Sequence, residues 1–300
     1  MGCTRQFAGK NGLYALNDKS FLISIDELRQ NLGRSNMRII DCRFSLLDPA
    51  AGRQQYVEAH IPGAVHADLD KDLAAAVGQS MGRHPLPDAA DMCRTFGRLG
   101  IDRDTAVVAY DDGSGGIAAR AWWLLRWLGH DNAMLLDGGF AAWLESGLPV
   151  STGVSEATPC EFAGTPRMEL VLATADMDKS GVADAPYRLV DARSDGRFVG
   201  DEEPIDPVAG HIPGALNMPF DRNLDAEGRW KSPGALAKEL ESCLGGDREA
   251  EWVVMCGSGV TACHLVIAGL RAGFREPRVY VGSWSEWIQD PDRAIATGSE

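Results

Sequence analysis

Residues 251–264 read EWVVMCGSGVTACH, an apolar run that leads through a glycine-containing turn into a helical pattern. The run Trp252–Met255 has the continuous apolar character of a strand buried on both faces of a parallel sheet. Gly257 and Gly259 allow a tight turn after it, and apolar residues recur at helical spacing from Val260 onward. The stretch therefore predicts a strand–turn–helix unit of an α/β domain.

Cys256 stands where the predicted strand ends and the turn begins. Open α/β sheets bind ligands at the carboxyl ends of their strands. The N–H groups of such a turn converge, and the N-terminus of the following helix adds partial positive charge. We therefore expect a thiol here to be largely thiolate at neutral pH, and hence nucleophilic. The alternative is a buried, inert cysteine, but the Gly-Ser-Gly turn favours the nucleophile.

The chain has 300 residues, a net charge of −14 and seven cysteines. This length is typical of two domains of ordinary size. The negative charge argues against a nucleic-acid partner and against an acidic membrane surface. The cysteines are scattered and form no Cys-x-x-Cys pair, which indicates reduced thiols rather than a disulfide framework or a zinc site. We expect neither a metal nor a cofactor.

The N-terminal segment from Met1 to Ser20 contains no apolar core of signal-peptide length. No stretch of the sequence approaches the length of a membrane span. These features predict a cytoplasmic protein. The start Met1-Gly2-Cys3 is a weak signal for lipidation, because position six is Gln6 rather than serine or threonine.

The second half of the chain repeats the first at an offset close to 150 residues. Residues 60–64 and 211–215 share the pentapeptide HIPGA, and residues 38–43 match residues 188–193. Such a duplication indicates two domains of similar structure. Each half alternates strands and helices, so the predicted fold class is α/β, with a mostly parallel sheet flanked by helices in each domain.

The domain boundaries follow from a change in composition. Residues 151–166 are rich in Pro, Gly, Ser and Thr and have no apolar period, so we predict a linker there. The N-terminal domain then covers residues 1–150 and the C-terminal domain residues 167–300. Because His60 and His211 recur in both halves, we expect their rings to satisfy backbone groups in a turn rather than to take part in chemistry.

Residues 256–262, CGSGVTA, resemble the active-site loop of rhodanese-type sulfurtransferases, in particular the 3-mercaptopyruvate sulfurtransferase variant. The resemblance extends over the duplicated chain from about Ser20 to Asp290. It implies two tandem rhodanese-like domains, of which only the second carries the catalytic cysteine. Asp111 stands at the place of Cys256 in the first copy and cannot carry sulfur, so we expect the first domain to be catalytically silent.

The resemblance also implies an activity. Sulfane sulfur would pass from 3-mercaptopyruvate through a persulfide on Cys256 to a thiol, a thioredoxin-like protein or cyanide, with release of pyruvate. This is covalent catalysis, in which one transfer is split into two steps. The loop at Gly257, Gly259 and Val260 would bind the anionic sulfur through its N–H groups. We expect a monomer whose partners are a small-molecule donor and the acceptor, with no nucleic acid or membrane.

Ser258 and Thr261 place hydroxyl groups beside the predicted nucleophile. In a catalytic role, they would transfer a proton to the leaving enolate or donate a hydrogen bond to the persulfide. The alternative is turn formation by Ser258 and helix capping by Thr261. The resemblance favours catalysis for Ser258 and leaves both roles open for Thr261.

By the same resemblance, Arg197 holds the carboxylate and the carbonyl of the substrate, since a guanidinium binds a carboxylate through two parallel hydrogen bonds. Arg193 is a second candidate for substrate binding, with a structural ion pair to an aspartate as the alternative. The family's second substrate arginine has no counterpart in residues 201–206, which read DEEPID. Arg83 of the first domain is one residue that could take its place.

Three other functions are weighed against this one. A cysteine-dependent phosphatase needs an arginine six positions after the cysteine, where this chain has Ala262. A non-enzymatic binding module is supported by Asp111 for the first domain only. A thiosulfate sulfurtransferase needs cations within the loop, whereas Gly257 and Gly259 are neutral. We therefore expect 3-mercaptopyruvate to be the better donor, with thiosulfate as the alternative.

Overall fold

The computed structural model describes residues 21–299, which form two α/β units of the same design. The lipidation signal considered at Met1-Gly2-Cys3 and the rest of the N-terminal segment lie outside these residues. The first unit consists, in chain order, of β1 (Leu22–Ile23), α1 (Ile25–Asn31), β2 (Met37–Asp41), α2 (Ala51–Glu58), β3 (Ala64–His66), α3 (Ala89–Arg98), β4 (Ala106–Tyr110), α4 (Ala118–Trp127), β5 (Ala133–Leu136) and α5 (Gly139–Glu145).

The second unit follows the same alternation of strands and helices. It consists of β6 (Val171–Leu172), β7 (Arg188–Asp191), α6 (Asp195–Val199), β8 (Leu216–Asn217), α7 (Pro233–Leu244), β9 (Trp252–Met255), α8 (Ala262–Ala272), β10 (Arg278–Tyr280) and α9 (Ser283–Trp287). Short 3-10 turns lie at Met168–Leu170, Thr174–Asp176 and Phe220–Asn223. Among the helices of residues 21–299, none is long and apolar enough to cross a membrane.

Each unit contains a five-stranded sheet. The strand order is β1-β5-β4-β2-β3 in the first sheet and β6-β10-β9-β7-β8 in the second, and all of these pairs are parallel. The two orders are the same when each strand is replaced by its counterpart in the other half. The predicted α/β class, the parallel sheets and the internal duplication are therefore confirmed.

Strands β4 and β9 lie at the centre of the two sheets, and every residue in them is buried. Helices cover both faces of a parallel sheet, so its central strands have no polar face and read as continuous apolar runs. This is why the run before Cys256 was recognisable as a strand. It also places the residue after each of these strands at the carboxyl edge of its sheet.

The two units share one core. Helix α4 packs against its own sheet and against α8 of the other unit, and almost all of its residues are buried. One apolar cluster includes Trp123 of α4 together with Leu265 and Val266 of α8. Because these two helices begin directly after the loops that follow β4 and β9, their contact fixes the two loops relative to each other.

The segment predicted as a linker, residues 151–166, lies along the first unit. The N–H of Cys160 donates to the carbonyl of Gly97 at 3.0 Å. Phe162 is buried and packs against Phe96, with ring centroids 5.4 Å apart. The lack of an apolar period was therefore a sign of irregular backbone and not of a chain free of contacts.

His60 and His211 have the structural role that their repetition predicted. Nδ1 of His60 lies 2.8 Å from the carbonyl oxygen of Tyr56, and Nδ1 of His211 lies 2.8 Å from that of Phe198. Each imidazole also stacks on the ring of the same partner residue. Both rings are fully buried, and they tie the repeated turns to the helix before them.

Candidate active site

Cys256 follows β9 directly and lies at the carboxyl edge of the second sheet. Its N–H donates to Oγ of Ser283 at 3.2 Å, and its carbonyl accepts from the N–H of Trp284 at 3.0 Å. These bonds come from the start of α9 and fix the backbone of the cysteine. Cys256 as a whole is only 2% exposed, so a nucleophile here would react inside the protein.

Asp111 occupies the same place in the first unit. It follows β4 directly, and its carbonyl accepts from Phe140 at the start of α5 as that of Cys256 does from Trp284. Its carboxylate accepts from the backbone N–H groups of the loop before α4. The donors are Gly113 (3.1 Å), Gly115 (2.8 Å), Ile117 (2.9 Å) and Ala118 (3.1 Å). The first loop is thus an anion-binding turn that is filled by its own carboxylate.

The loop after Cys256 has the same turn without an internal anion. The N–H groups of residues 257–261 donate to no acceptor within residues 21–299, although most of these residues are buried. Gly259 makes the turn possible with a φ of +74°, and a Cβ on it would lie 2.7 Å from the carbonyl oxygen of Val281. Buried N–H groups that converge without an acceptor stabilise a negative charge at the point they face.

Ser258 is joined to the first domain through His84 and Asp70. Its Oγ lies 2.7 Å from Nδ1 of His84, and Nε2 of His84 lies 3.2 Å from Oδ1 of Asp70. Burial, together with the nearby charges of Arg120 and Arg83, lowers the pKa of His84 to about 4. The imidazole is therefore neutral at neutral pH, with Nε2–H directed at Asp70 and Nδ1 accepting from the serine hydroxyl.

Thr261 and Val260 lie at the start of α8. Thr261 occupies the N-cap position but forms no side-chain capping bond, and its hydroxyl makes no hydrogen bond within the described chain. The capping alternative is thus not supported. Val260 is 4% exposed and packs into the core, so only its backbone can contribute to the loop.

Arg193 forms a buried ion pair. Its Nη2 lies 2.6 Å from the carboxylate of Asp191 and also donates to the carbonyl of Gly210 at 2.7 Å. The first unit repeats this arrangement, since Arg43 pairs with Asp41 at 2.6 Å and donates to a backbone carbonyl at the same distance. An arrangement found equally beside the loop that lacks a cysteine is structural, which supports the ion-pair alternative for Arg193.

Arg197 belongs to α6, and its guanidinium lies against the loop that follows Cys256. Its Nη2 stands 3.5 Å from the position that a Cβ on Gly257 would take. The same group donates to Asp206 at 2.9 Å, and Nε donates to Glu203 at 3.0 Å. Arg83 reaches the same glycine from the first domain, with Nη2 2.7 Å from that Cβ position, and it also pairs with Asp206. Two guanidinium groups from different domains thus flank the residue after Cys256.

Arg120 of α4 contacts the cysteine loop and was not among the site residues predicted from the sequence. It is fully buried, and its guanidinium donates to the carbonyls of Gly259 at 3.0 Å, of His84 at 3.4 Å and of Leu73 at 3.4 Å. It therefore binds the loop that carries His84 to the loop that carries Cys256. A buried arginine whose partners are carbonyls of two loops holds those loops in one position.

Comparisons with known proteins agree with this geometry. The Rhodanese-like domain family model matches residues 24–146 and again residues 174–290. The chain is 47% identical over 279 residues to a probable 3-mercaptopyruvate sulfurtransferase of Pseudomonas aeruginosa, covering 92% of this chain and 98% of the relative. It is 39% identical over 269 residues to a putative thiosulfate sulfurtransferase, SseB, of Mycobacterium tuberculosis, covering 87% of this chain and 91% of the relative.

A solved structure has the same fold over nearly the whole chain. It is that of SseA from Escherichia coli, described as a 3-mercaptopyruvate sulfotransferase, with a TM-score of 0.76 and 29% identity over 89% of this chain and 99% of that chain. The family matches cover four of the five strands in each sheet and both of the loops that follow β4 and β9. The chain belongs to the rhodanese family and is a sulfurtransferase built from two tandem rhodanese domains.

Proposed function

We propose that this protein transfers sulfur from 3-mercaptopyruvate to a thiol or to cyanide through a persulfide on Cys256. One observation carries the proposal: the N–H groups of residues 257–261, which follow the cysteine directly, have no acceptor in the described chain. The corresponding loop in the first domain holds the carboxylate of Asp111 with four N–H groups. An anionic persulfide would take the place that this carboxylate takes in the first domain.

In the first step, the Cys256 thiolate attacks the sulfur of 3-mercaptopyruvate. A sulfur–sulfur bond forms, the bond between that sulfur and C3 of the substrate breaks, and its electron pair passes to the carbon as the enolate of pyruvate. The proton of the substrate thiol is released, and the enolate takes up one proton to give pyruvate. The loop N–H groups stabilise the persulfide anion that remains on the cysteine.

Ser258, His84 and Asp70 can carry that proton. Oγ of Ser258 accepts the proton of the substrate thiol while its own proton passes to Nδ1 of His84, 2.7 Å away. Asp70, 3.2 Å from Nε2, stabilises the resulting imidazolium. The reverse transfer then delivers the proton to the enolate. A neutral His84 is required for this role, which its lowered pKa of about 4 provides.

In the second step, an acceptor thiolate or cyanide attacks the outer sulfur of the persulfide. The sulfur–sulfur bond breaks, and the cysteine leaves as the thiolate, so the enzyme returns to its initial state. The first domain takes no part in sulfur chemistry in this proposal, because Asp111 offers no nucleophile. Its contribution is the set of side chains that it places on the loop, namely Asp70, Arg83, His84 and Arg120.

A thiosulfate sulfurtransferase is the second candidate. Arg83 and Arg197 bring two positive charges to Gly257, although the loop itself is neutral, and cations beside the cysteine would favour a dianionic donor. Their pairing with Glu203 and Asp206 opposes this, because the added carboxylates repel a second negative charge. We therefore keep 3-mercaptopyruvate as the preferred donor.

The experiment compares turnover of the two donors by the same preparation. We expect kcat/KM for 3-mercaptopyruvate to exceed that for thiosulfate by at least about tenfold, a difference of about 1.4 kcal/mol in activation free energy. Mass spectrometry of proteolytic peptides after incubation with the donor should show the added mass of one sulfur atom on the peptide that contains Cys256. Equal efficiencies would contradict the donor assignment, and an unmodified Cys256 would contradict the persulfide.

A further inference from the structure

Arg120 carries a positive charge that no carboxylate of the described chain balances. Its side chain is fully buried, and its guanidinium donates to three backbone carbonyls, of which that of Gly259 is the nearest at 3.0 Å. Within residues 21–299 it forms no ion pair with an acidic side chain. An arginine keeps its proton in proteins, and a buried charge without an opposite charge is costly. We therefore looked for an anion near Arg120.

A neutral side chain makes the equivalent contact on the other side of the domain interface. The carbonyl of Ser114, three residues after Asp111, lies 3.0 Å from Nε2 of His264 in α8. It corresponds to the carbonyl three residues after Cys256, that of Gly259, to which the guanidinium donates at the same distance. Burial lowers the pKa of His264 to about 3, so its ring is neutral at neutral pH. Holding this carbonyl therefore requires a hydrogen-bond donor but no charge.

The two loops differ in the source of their negative charge. The first loop contains the carboxylate of Asp111, bound by four N–H groups, and the side chain at its carbonyl is neutral. The second loop, residues 256–262, contains no acidic side chain, and the side chain at its carbonyl is a cation. Its negative charge can come only from a sulfur atom.

The thiols near Arg120 are those of Cys263 and Cys256. Burial lowers the pKa of Arg120, and the negative charge that these two thiols can carry opposes that effect. Burial raises the pKa of Cys263 to about 12, so this residue stays a neutral thiol at neutral pH. His84, which contacts Asp70, is neutral as well, because its pKa is lowered to about 4. The anion that remains for Arg120 is the thiolate of Cys256.

The other two cations at this loop already have acidic partners. Arg83 pairs with Asp206, and Arg197 pairs with both Asp206 and Glu203. Their two positive charges are thus offset by two negative ones. Arg120 differs from them in being fully enclosed and in having no carboxylate partner among the described residues.

Building on the proposed function, we propose that Arg120 is the positive partner of the Cys256 thiolate and of the persulfide that replaces it. Arg120 is a positioning residue, since it is fully buried between the two loops and touches neither donor nor acceptor. It acts on the sulfur through its charge and through the carbonyl of Gly259. Attraction between charges is several times stronger in a protein interior than in water, so the first domain favours the ionised form of the nucleophile.

The first test is Arg120→Gln, which keeps a hydrogen-bond donor and removes the charge. Alkylation of Cys256 by iodoacetamide, a neutral reagent, is measured across pH by mass spectrometry of the Cys256 peptide. We expect the midpoint of the alkylation curve to move to higher pH by at least about one unit, which is a tenfold smaller thiolate fraction below the midpoint. An unchanged midpoint would overturn the role of Arg120.

Arg126→Gln is the matched control. Arg126 lies on the same helix, and its charge is paired with Asp131 and Glu276, so its loss should leave the alkylation midpoint unchanged. Arg120→Lys separates charge from contacts, because it keeps the charge and loses the planar fork of donors. Its midpoint should stay within about half a unit of that of the unmodified protein. A lysine variant shifted as far as Arg120→Gln would show that only the contacts matter.

A salt series on the unmodified protein decides if Arg120→Gln does not fold. An enclosed charge is screened little by salt, whereas the side chains of Arg83 and Arg197 are 27% and 13% exposed. Between about 0.05 M and about 1 M salt, the alkylation midpoint of Cys256 should therefore change by less than about half a unit. A larger rise would mean that the exposed arginines hold the thiolate, and it would overturn the role of Arg120.

Alkylation needs no sulfur donor, so its outcome is separate from that of the proposed function. If the unmodified protein transfers sulfur from 3-mercaptopyruvate and the midpoint is the same in Arg120→Gln and Arg126→Gln, this inference is wrong and the proposed function stands. If 3-mercaptopyruvate is not a donor and the midpoint moves only in Arg120→Gln, the proposed donor is wrong and Arg120 still stabilises the thiolate.

Discussion

Oγ of Ser258 lies 2.7 Å from Nδ1 of His84, and the two residues belong to different domains. The nucleophile loop of the second domain is therefore in hydrogen-bond contact with a side chain that the first domain supplies. Arg120, also from the first domain, donates to both of these loops. The candidate site is thus built from side chains of both halves, and in the proposed mechanism the domain without a cysteine supplies part of the proton relay.

Replacement of His84 tests the proton relay. We expect His84→Gln to lower kcat for 3-mercaptopyruvate by at least about 100-fold, since a positioned acid–base group contributes roughly that much or more. The pH profile gives a second readout. Because the pKa of His84 is lowered to about 4, the acid limb of kcat should lie near pH 4 and not near the ordinary histidine value of about 6.5.

The direction of this pH dependence of kcat follows from the role of Nδ1 of His84. Above pH 4 the imidazole is neutral and accepts from Ser258, whereas below it the ring is protonated and that acceptor is lost. The fall of kcat near pH 4 should disappear in His84→Gln, because the residual rate of this variant should not depend on pH around that value. A variant that retains both the rate and the limb would show that His84 only packs against the loop.

Replacement of Cys256 by serine should abolish sulfur transfer while the protein stays folded. A hydroxyl cannot form a persulfide, and the change in side-chain volume is small. Cys160→Ser is the control, because Cys160 is exposed and lies away from the loop. Circular dichroism checks the fold, and thiocyanate release from cyanide measures activity. Appreciable transfer by Cys256→Ser would mean that another thiol is the nucleophile.

Gly259→Ala tests the anion-binding turn. Alanine would have to adopt a φ near +74°, and its Cβ would lie 2.7 Å from the carbonyl oxygen of Val281. We expect a loss of about 1–3 kcal/mol in the free energy of unfolding and a fall in kcat of at least about tenfold.

Gly33→Ala is the matched control for this substitution. Gly33 has a φ of +77° but nothing within 4 Å of its Cβ position, so it shares the backbone strain without the contact or the site. Turnover per folded molecule should be unchanged in Gly33→Ala. Equal loss of activity in both variants would point to general destabilisation and not to the turn.

Asp111→Ala tests the carboxylate that fills the first loop. Four N–H groups, two buried and two partly buried, would lose their acceptor, so we expect the free energy of unfolding to fall by about 2–4 kcal/mol. The turnover of folded protein should not change, because Asp111 does not touch the reacting sulfur. Asp112→Ala changes an exposed neighbouring residue. It should lower the free energy of unfolding, measured by urea denaturation, much less than Asp111→Ala does. A large loss of turnover in Asp111→Ala would show that the first loop is not silent.

Much of the architecture was predictable from the sequence, because it depends on local patterns. A continuous apolar run before Cys256 indicates a central parallel strand whatever surrounds it. The repeated HIPGA segments at residues 60–64 and 211–215 required two copies of one domain. The capping box formed by Ser24 and Glu27 is local in the same way, since its bonds span only three residues.

The side chains around the nucleophile were less predictable. His84 and Ser258 are 174 residues apart in sequence, and no local pattern links them. The available signal was a histidine between Arg83 and Pro85 in a long loop, which by itself does not distinguish a ligand from a surface residue. Arg120 lies in an apolar helix, where an arginine is unexpected, and this was the stronger signal.

The sequence by itself determined what each half is: an α/β domain with a turn at the end of its central strand, and a thiol in only one of the two turns. These features depend on neighbouring residues and on the period of the apolar pattern. The tertiary structure decided which charges and hydrogen bonds act on that thiol. Arg83, His84 and Arg120 reach the loop that follows the thiol from the other domain, and Asp70 contacts His84, because α4 and α8 bury their apolar faces against each other. Burial of apolar surface is not directional, so only the packed shape of the two domains specifies which side chains meet at Cys256.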